Sequence, residues 1–495
     1  MTHRGGSGRQ LDGLMALSAA AVVGLVWSAV PLGVPGEWTW PRFVDGPALA
    51  AVLVFAVAAV YLVVADRVAQ LTRFAEPALV ASAMVFLSAV LFVAEPAGLL
   101  AGGSREPWVV NVPSVSGYFE EALNDPRSTG EWLAGYEAEV NGGDFLHQGT
   151  HPPGLILLNR AVLAAVAACP PLQAVSQWLR GEAWDDSFGA LATTALRRPA
   201  DGPSLAVIAA ASWWWAKLTQ LAAAAVVWPL ALMVSAVGDR ANGVRVAALW
   251  PLVPAATVFL PKSDCLYAVF GLAVAGLWCH AIGGPRVRWF AAALAGLVAS
   301  ASLWLSLASG PLYAGVAAGS AVWAVRRGCV RHVAKAAAVG AVGVAVPVVA
   351  GLVAGVNLPN VWAANLRNHA AFYDNFPRSY LSWLAVNPLE AAVAAGLPIV
   401  VAAVVLSRRS EALGCPQRSV AGGVLIAWAL LWLSGKNMGE AARLWVLFLP
   451  WPIVWLGLSG AMDRRRWWSI AIAAAAAFAA VVARIDGFNL AAAGG

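Results

Sequence analysis

The sequence predicts an all-α integral membrane protein of about thirteen transmembrane helices, with one long external loop carrying interfacial helices. Composition is the first reason: 60% of the 495 residues are hydrophobic and 12% charged, with mean hydropathy +0.71, whereas a soluble chain carries about 25% charged residues. Apolar runs of spanning length recur along the chain. Between them, basic residues fall in every second loop.

A span needs about 20 apolar residues. Candidate runs lie near 14–34, 46–65, 76–98, 205–237, 246–260, 266–282, 290–308, 311–325, 336–356, 387–406, 420–434, 443–460 and 468–483. The first follows a basic N-terminus and shows no small-residue cleavage site, so a retained span is expected rather than a removed signal. With the N-terminus inside, Arg67/Arg73, Arg240/Arg245, Arg286/Arg288, Arg326/Arg327/Arg331/Lys335, Arg408/Arg409/Arg418 and Arg464/Arg465/Arg466 all face the cytoplasm, as short basic loops do. Left outside are 99–204, 261–264, 357–386, 435–443 and the C-terminal tail. The chain thus divides into N-terminal membrane helices (1–98), an external acidic loop (99–204) and a second helical bundle (205–495).

Loop 99–204 holds twelve acids against six arginines, net −6, while the whole chain is +6. The overall basic excess therefore reflects membrane orientation, and no nucleic-acid partner is expected. Five scattered cysteines give neither a disulfide framework nor a zinc motif. No phosphate-binding glycine loop is present, and no cofactor is expected.

Within the loop, GYFEEAL (117–123) and EWLAGYEAEV (131–140) alternate apolar and acidic residues at helical spacing. Both are too short to span and are expected to lie along the outer membrane face. Next comes DFLHQGTHPPGLILLNRA (144–161). The pair Pro152-Pro153 predicts a helix start, with a helix from Leu155 to about Ala168 and His151 ending an extended approach. Three readings are open for its polar residues. They can be interfacial polar groups, or Asp144, His147 and His151 can be zinc ligands, although Gly149 and the proline pair argue against the continuous helix such a spacing needs; no metal is expected.

The third reading is a resemblance. An external first loop with paired acids, a His-Pro-Pro-small motif leading into a membrane-dipping helix, and an Asp at a later outer turn resemble the GT-C class of membrane glycosyltransferases. That class includes the protein O-mannosyltransferases and the lipid A aminoarabinose transferases. The corresponding residues are Glu120 and Glu121, THPPG at 150–154, and Asp264 in LPKSDCLYAVF. Three spans precede the loop here, the acids are Glu-Glu, and Gly154 stands where Leu is commoner.

The resemblance implies transfer of a hexosyl or pentosyl group from a polyprenyl-phosphate donor at the outer face of a bacterial plasma membrane. Such transfer requires a base, cations for the leaving phosphate, and a groove for the prenyl tail. Glu121 is the expected base, with Glu120, Asp125 and Asp144 as competitors, and Asp264 and His151 complete the catalytic set. Asp264 reads equally as a helix N-cap. Tyr118 and His147 are expected at the substrate, and phosphate contacts are expected from Arg378 and Tyr380 in NLRNHAAFYDNFPRSYLSW (365–383), and from Lys436, Asn437, Glu440 and Arg443 in SGKNMGEAARLW (434–445). Arg443 has two readings: partner of Glu440, or ligand of a lipid phosphate. The tryptophans read mainly as interfacial anchors, with Trp213-Trp214-Trp215 a candidate lining for the tail groove. The alternative function is a transporter of a lipid-linked or small polar substrate, but the spans carry few charges, of which Lys217 is the clearest.

Overall fold

The computed structural model describes residues 4–43, 48–93, 104–143, 147–407 and 414–488, with one small hairpin, Gly33–Val34 with Trp38–Thr39, and otherwise helices. Six helices among the described residues are long and apolar enough to cross a membrane: Arg9–Trp27, Ala48–Arg73, Leu205–Ser235, Ser263–Ile282, Val330–Val353 and Arg464–Arg484. The number rises to eight if two bent pairs each count as one span.

The thirteen runs expected from hydropathy are not all realised as spanning helices, and proline accounts for much of the difference. Pro251 and Pro254 break the run 246–260 into a 3-10 turn (Trp250–Leu252) and a helix of five residues, Pro254–Val258. The run 443–460 likewise becomes the short helices Ala441–Leu444 and Pro450–Gly457. Proline lacks the N–H an interior helical position needs. The run 387–406 bends by 96° at Gly396, between Tyr380–Ala395 and Leu397–Ser407. The Gly154–Ala168 and Pro170–Leu179 helices meet at 99°, so the segment after the proline pair does not run on as one straight helix.

Helix Leu205–Ala225 is the hub. It packs on Pro77–Val93, on Gly154–Ala168 and Glu106–Asn111 of the acidic loop, and on the turn Ser263–Leu266. Ser309–Arg326 runs along Pro416–Leu433, and Trp289–Leu305 along Val330–Val353. Small residues permit the second approach: a Cβ on Gly296 would lie 1.9 Å from the Gly340 carbonyl oxygen. Close backbone contact of this kind is how helices pack where lipid offers no hydrophobic drive.

Polar contacts sort the loops into two groups. In one, Asp66 pairs with Arg245 (2.7 Å) and Arg464 (2.6 Å), and Asp12 accepts from Ser469 (2.6 Å). In the other, Asn360 donates to Glu137 (2.8 Å), Arg367 to Asn141 (2.9 Å), and Arg105 to the Thr257 carbonyl (3.0 Å), while the Asp486 amide donates to Pro41 (3.0 Å).

The acidic loop is more deeply integrated than an interfacial segment. In Tyr118–Asn124, Tyr118, Phe119, Ala122 and Leu123 are buried, and the helix packs on Gly154–Ala168. The next helix, Thr129–Val140, starts at a capping box between Ser128 and Glu131 and buries Trp132, Tyr136 and Val140 on one face.

Candidate functional site

Four segments distant in sequence meet in the second group of loops. The Tyr118–Asn124 helix begins at Gly117, whose φ of 68° suits a residue without a Cβ, and this turn sets Tyr118 into the interior. Its ring packs edge-on against the His151 ring, centroids 5.3 Å apart. Thr150 Oγ1 lies 3.0 Å from His151 Nδ1, and the Tyr136 hydroxyl donates to the His151 carbonyl at 2.7 Å. The approach to the proline pair is not extended, since residues His147–Thr150 make one helical turn before the bend at His151. Helix Gly154–Ala168 then starts with Pro153 at its N-cap.

The third segment is the turn Ser263–Leu266, and the fourth is 437–443. Arg443 joins two carboxylates: its Nη2 lies 2.7 Å from Glu440 and its Nε 3.6 Å from Asp264 Oδ2. Neither that Nε nor that Oδ2 has a hydrogen bond among the described residues. Lys262, 7% exposed, donates to the Val115 carbonyl. Asp264 and Arg443 are 13% and 18% exposed as whole side chains, while the paired atoms, Arg443 Nε and Asp264 Oδ2, are themselves buried.

Electrostatics follow from this crowding. Burial, reinforced by Arg443 and partly opposed by Asp264 and Glu440, brings Lys262 down to about 8. Burial works against the Arg443 charge, yet Glu440 and then Asp264 hold its pKa above the ordinary arginine value. Burial, then Tyr267 and Asp264, pushes the Tyr118 hydroxyl well above the usual tyrosine range, which keeps it a proton donor.

Two sequence readings change here. Asp264 is not an N-cap: the Tyr267–Ile282 helix is entered through Leu266 without a side-chain cap. Arg443 does not begin a span; it lies in the one-turn helix Ala441–Leu444, ahead of Pro450–Gly457.

The remaining predicted residues form a neighbouring knot. Gly439, at φ 88°, leaves room for Arg378, whose Nη1 would be 2.9 Å from a Cβ there, and the Arg378 guanidinium stacks on Trp383 at 5.6 Å. The Tyr380 hydroxyl donates to the Leu433 carbonyl (2.8 Å), and Tyr373 to that of Lys436 (2.8 Å). Asn437 accepts from Trp445 at its side chain (3.2 Å) and from Asn387 at its carbonyl (2.7 Å). Tyr380 and Asn437 thus brace the turn, while the Lys436 side chain stays exposed.

Glu120 is half-buried, 3.9 Å from Arg197, and burial raises its pKa against that arginine's pull. Glu121 is half-buried on the same helix. Asp125 is engaged by Arg127 and by Arg160 (3.2 Å), and the Arg127 hydrogen bond holds its carboxyl low. Asp144 lies outside the described residues, as does the side chain of His147. Among the described residues no cluster of three His, Cys, Asp or Glu is placed to hold a metal ion. Trp213 and Trp215 are buried, and Trp214 donates to the Leu172 carbonyl (3.0 Å).

Sequence reading passed over Lys262, although it stands two residues before Asp264, and the asparagines Asn365 and Asn368, whose i, i+3 spacing on a polar helix face was a readable signal. Compared with family models, curated proteins and solved structures, the chain matches none of them.

Proposed function

We propose that this protein is a GT-C-like membrane glycosyltransferase that moves a hexosyl or pentosyl group from a polyprenyl-phosphate donor to an acceptor hydroxyl at the outer face of a bacterial plasma membrane. The observation that carries this reading is the meeting of Tyr118 and His151 with the group Lys262, Asp264, Glu440 and Arg443. Asp264, whose Oδ2 accepts no hydrogen bond among the described residues, takes the acceptor proton. The acceptor oxygen bonds to the anomeric carbon, and the bond from that carbon to the phosphate oxygen breaks. Arg443 and Lys262 neutralise the departing lipid phosphate, with the protonated Tyr118 as a further donor.

An apolar cavity of about 220 Å³ supports the choice of a lipid-linked donor. It lies among Tyr380–Ala395, Leu397–Ser407 and Pro416–Leu433, with Trp428, Trp432 and Trp445 in its wall, and Trp445 is two residues from Arg443. This cavity replaces the Trp213–Trp215 stretch as the place for the prenyl tail. The transporter reading has weaker support at Lys217, the charge that suggested it, because that buried cation is paired: it lies 2.7 Å from Glu106, which also accepts from Gln220 and Trp184.

The test is release of polyprenyl phosphate from a panel of polyprenyl-phosphate hexoses and pentoses by purified protein in lipid nanodiscs. Turnover that Asp264→Asn abolishes is expected. No turnover with any donor, or turnover that survives both Asp264→Asn and Glu121→Gln, would sink the proposal.

A further inference from the structure

We propose that Asn365 and Asn368 form a latch that positions His151. Both sit in the helix Leu358–Asn375, and Asn365 is separated from Gly149 by 216 residues. Asn365 Nδ2 donates to the carbonyls of Gly149 (2.7 Å) and His151 (3.2 Å). Asn368 Nδ2 donates to Gly149 (2.8 Å) and Val140 (2.7 Å). With the Tyr136 hydroxyl on the His151 carbonyl, each of these two motif carbonyls receives two donors, the full capacity of its lone pairs.

The motif needs such outside donors. Pro152 and Pro153 have no N–H, so the chain around them cannot be fixed by a continuous helical ladder. Carbonyls in a buried turn must still be satisfied. Asn365 and Asn368 are 1% and 8% exposed, so water does not readily replace them. Lying three residues apart on one helix, they present their amides to the same strand of backbone. With the main chain held on one side and the Tyr118 ring on the other, the His151 imidazole has one place to be.

The latch acts on the transfer reaction proposed above, and its catalytic consequence rests on that reading. Its geometry does not. Two measurements on the full-length protein in nanodiscs separate them. In a Thr150→Cys background, labelling by a charged thiol reagent, read peptide by peptide, is expected to accelerate about tenfold in Asn365→Asp and in Asn368→Ala. The aspartate is isosteric but sets acceptor against acceptor. Asn365→Ala serves if the aspartate variant does not insert. In the native Thr150 background, kcat for the polyprenyl-phosphate donor is expected to fall about a hundredfold, as for an ångström-scale misplacement. KM for that donor should stay within about twofold, because Lys262 and Arg443 stand on other segments.

Unchanged labelling in all three variants overturns the latch. Faster labelling with wild-type kcat overturns its role in positioning, as does a rise in donor KM alone. Faster labelling in a protein whose wild type turns over no donor leaves the latch standing and removes the proposed reaction.

Discussion

Lys262 is a buried amine among groups of both signs, and its burial makes a pH signature. With its pKa near 8 in the fold and about 10.4 in an unfolded chain, the unfolded state binds the extra proton between those values. Lys262 therefore favours unfolding less as pH rises through that window, and its contribution to stability increases from about pH 8 to 10.4. Anion binding runs the other way. Affinity for a polyprenyl phosphate is expected to fall as pH rises above about 8, and Lys262→Met should flatten that limb. An unaltered limb in titrations of this variant would place the phosphate elsewhere. Arg443 is tested beside it: Arg443→Lys replaces a planar fork with a point charge and should weaken donor use, and Arg443→Gln should nearly eliminate it. If Arg443 only neutralised Glu440, Glu440→Gln/Arg443→Gln would restore turnover. The Asp264 contact at 3.6 Å predicts that it does not.

At the scale of elements, the THPPG motif is explained by packing. A Cβ on Gly154 would lie 2.4 Å from the Trp304 carbonyl oxygen and 3.0 Å from Leu305 Cδ2, so the leucine commoner at this place cannot be seated without moving the Trp289–Leu305 helix. Gly154→Leu is expected to destabilise the protein by about 1–3 kcal/mol, as overpacking does; a thermal-shift assay that shows no loss contradicts the close contact. Helix Glu106–Asn111 is tied to Leu205–Ala225 by the Glu106–Lys217 pair. Lys217→Met alone strands a carboxylate that is 1% exposed and is expected to cost about 3–5 kcal/mol, largely recovered by adding Glu106→Gln. Much of the element plan was legible. The short helices around Tyr118 and Tyr136, and the one after Pro153, follow from periodicity and proline position. What was not legible is where spans break, because a window of hydropathy registers Pro251, Pro254, Pro450 and Pro452 inside apolar runs as no more than slightly polar. The placing of Arg443 failed for the same reason, since its helix ends within a turn.

Over the whole molecule, segments read as external touch one another and basic segments touch basic segments, as the alternation of Lys and Arg along the chain requires whichever side faces out. Asp66 gathers Arg245 and Arg464, which stand on two of the basic segments, while Asn360 and Arg367 reach Glu137 and Asn141 of the acidic loop. Hydrogen bonds cannot cross a bilayer of about 30 Å, so every segment in a connected group must share one side. Which side is cytoplasmic is a separate matter, decided by accessibility. Ser128 and Arg240 are both exposed, the first in the acidic loop and the second on the segment that carries Arg245. In intact cells, Ser128→Cys is expected to react with an impermeant thiol reagent, and Arg240→Cys only after permeabilisation. The reverse pattern would keep the fold but turn it over, placing Asp264 and Arg443 on the cytoplasmic face. Reaction of both from outside would break the partition itself, and with it the single external site on which the transfer reaction depends.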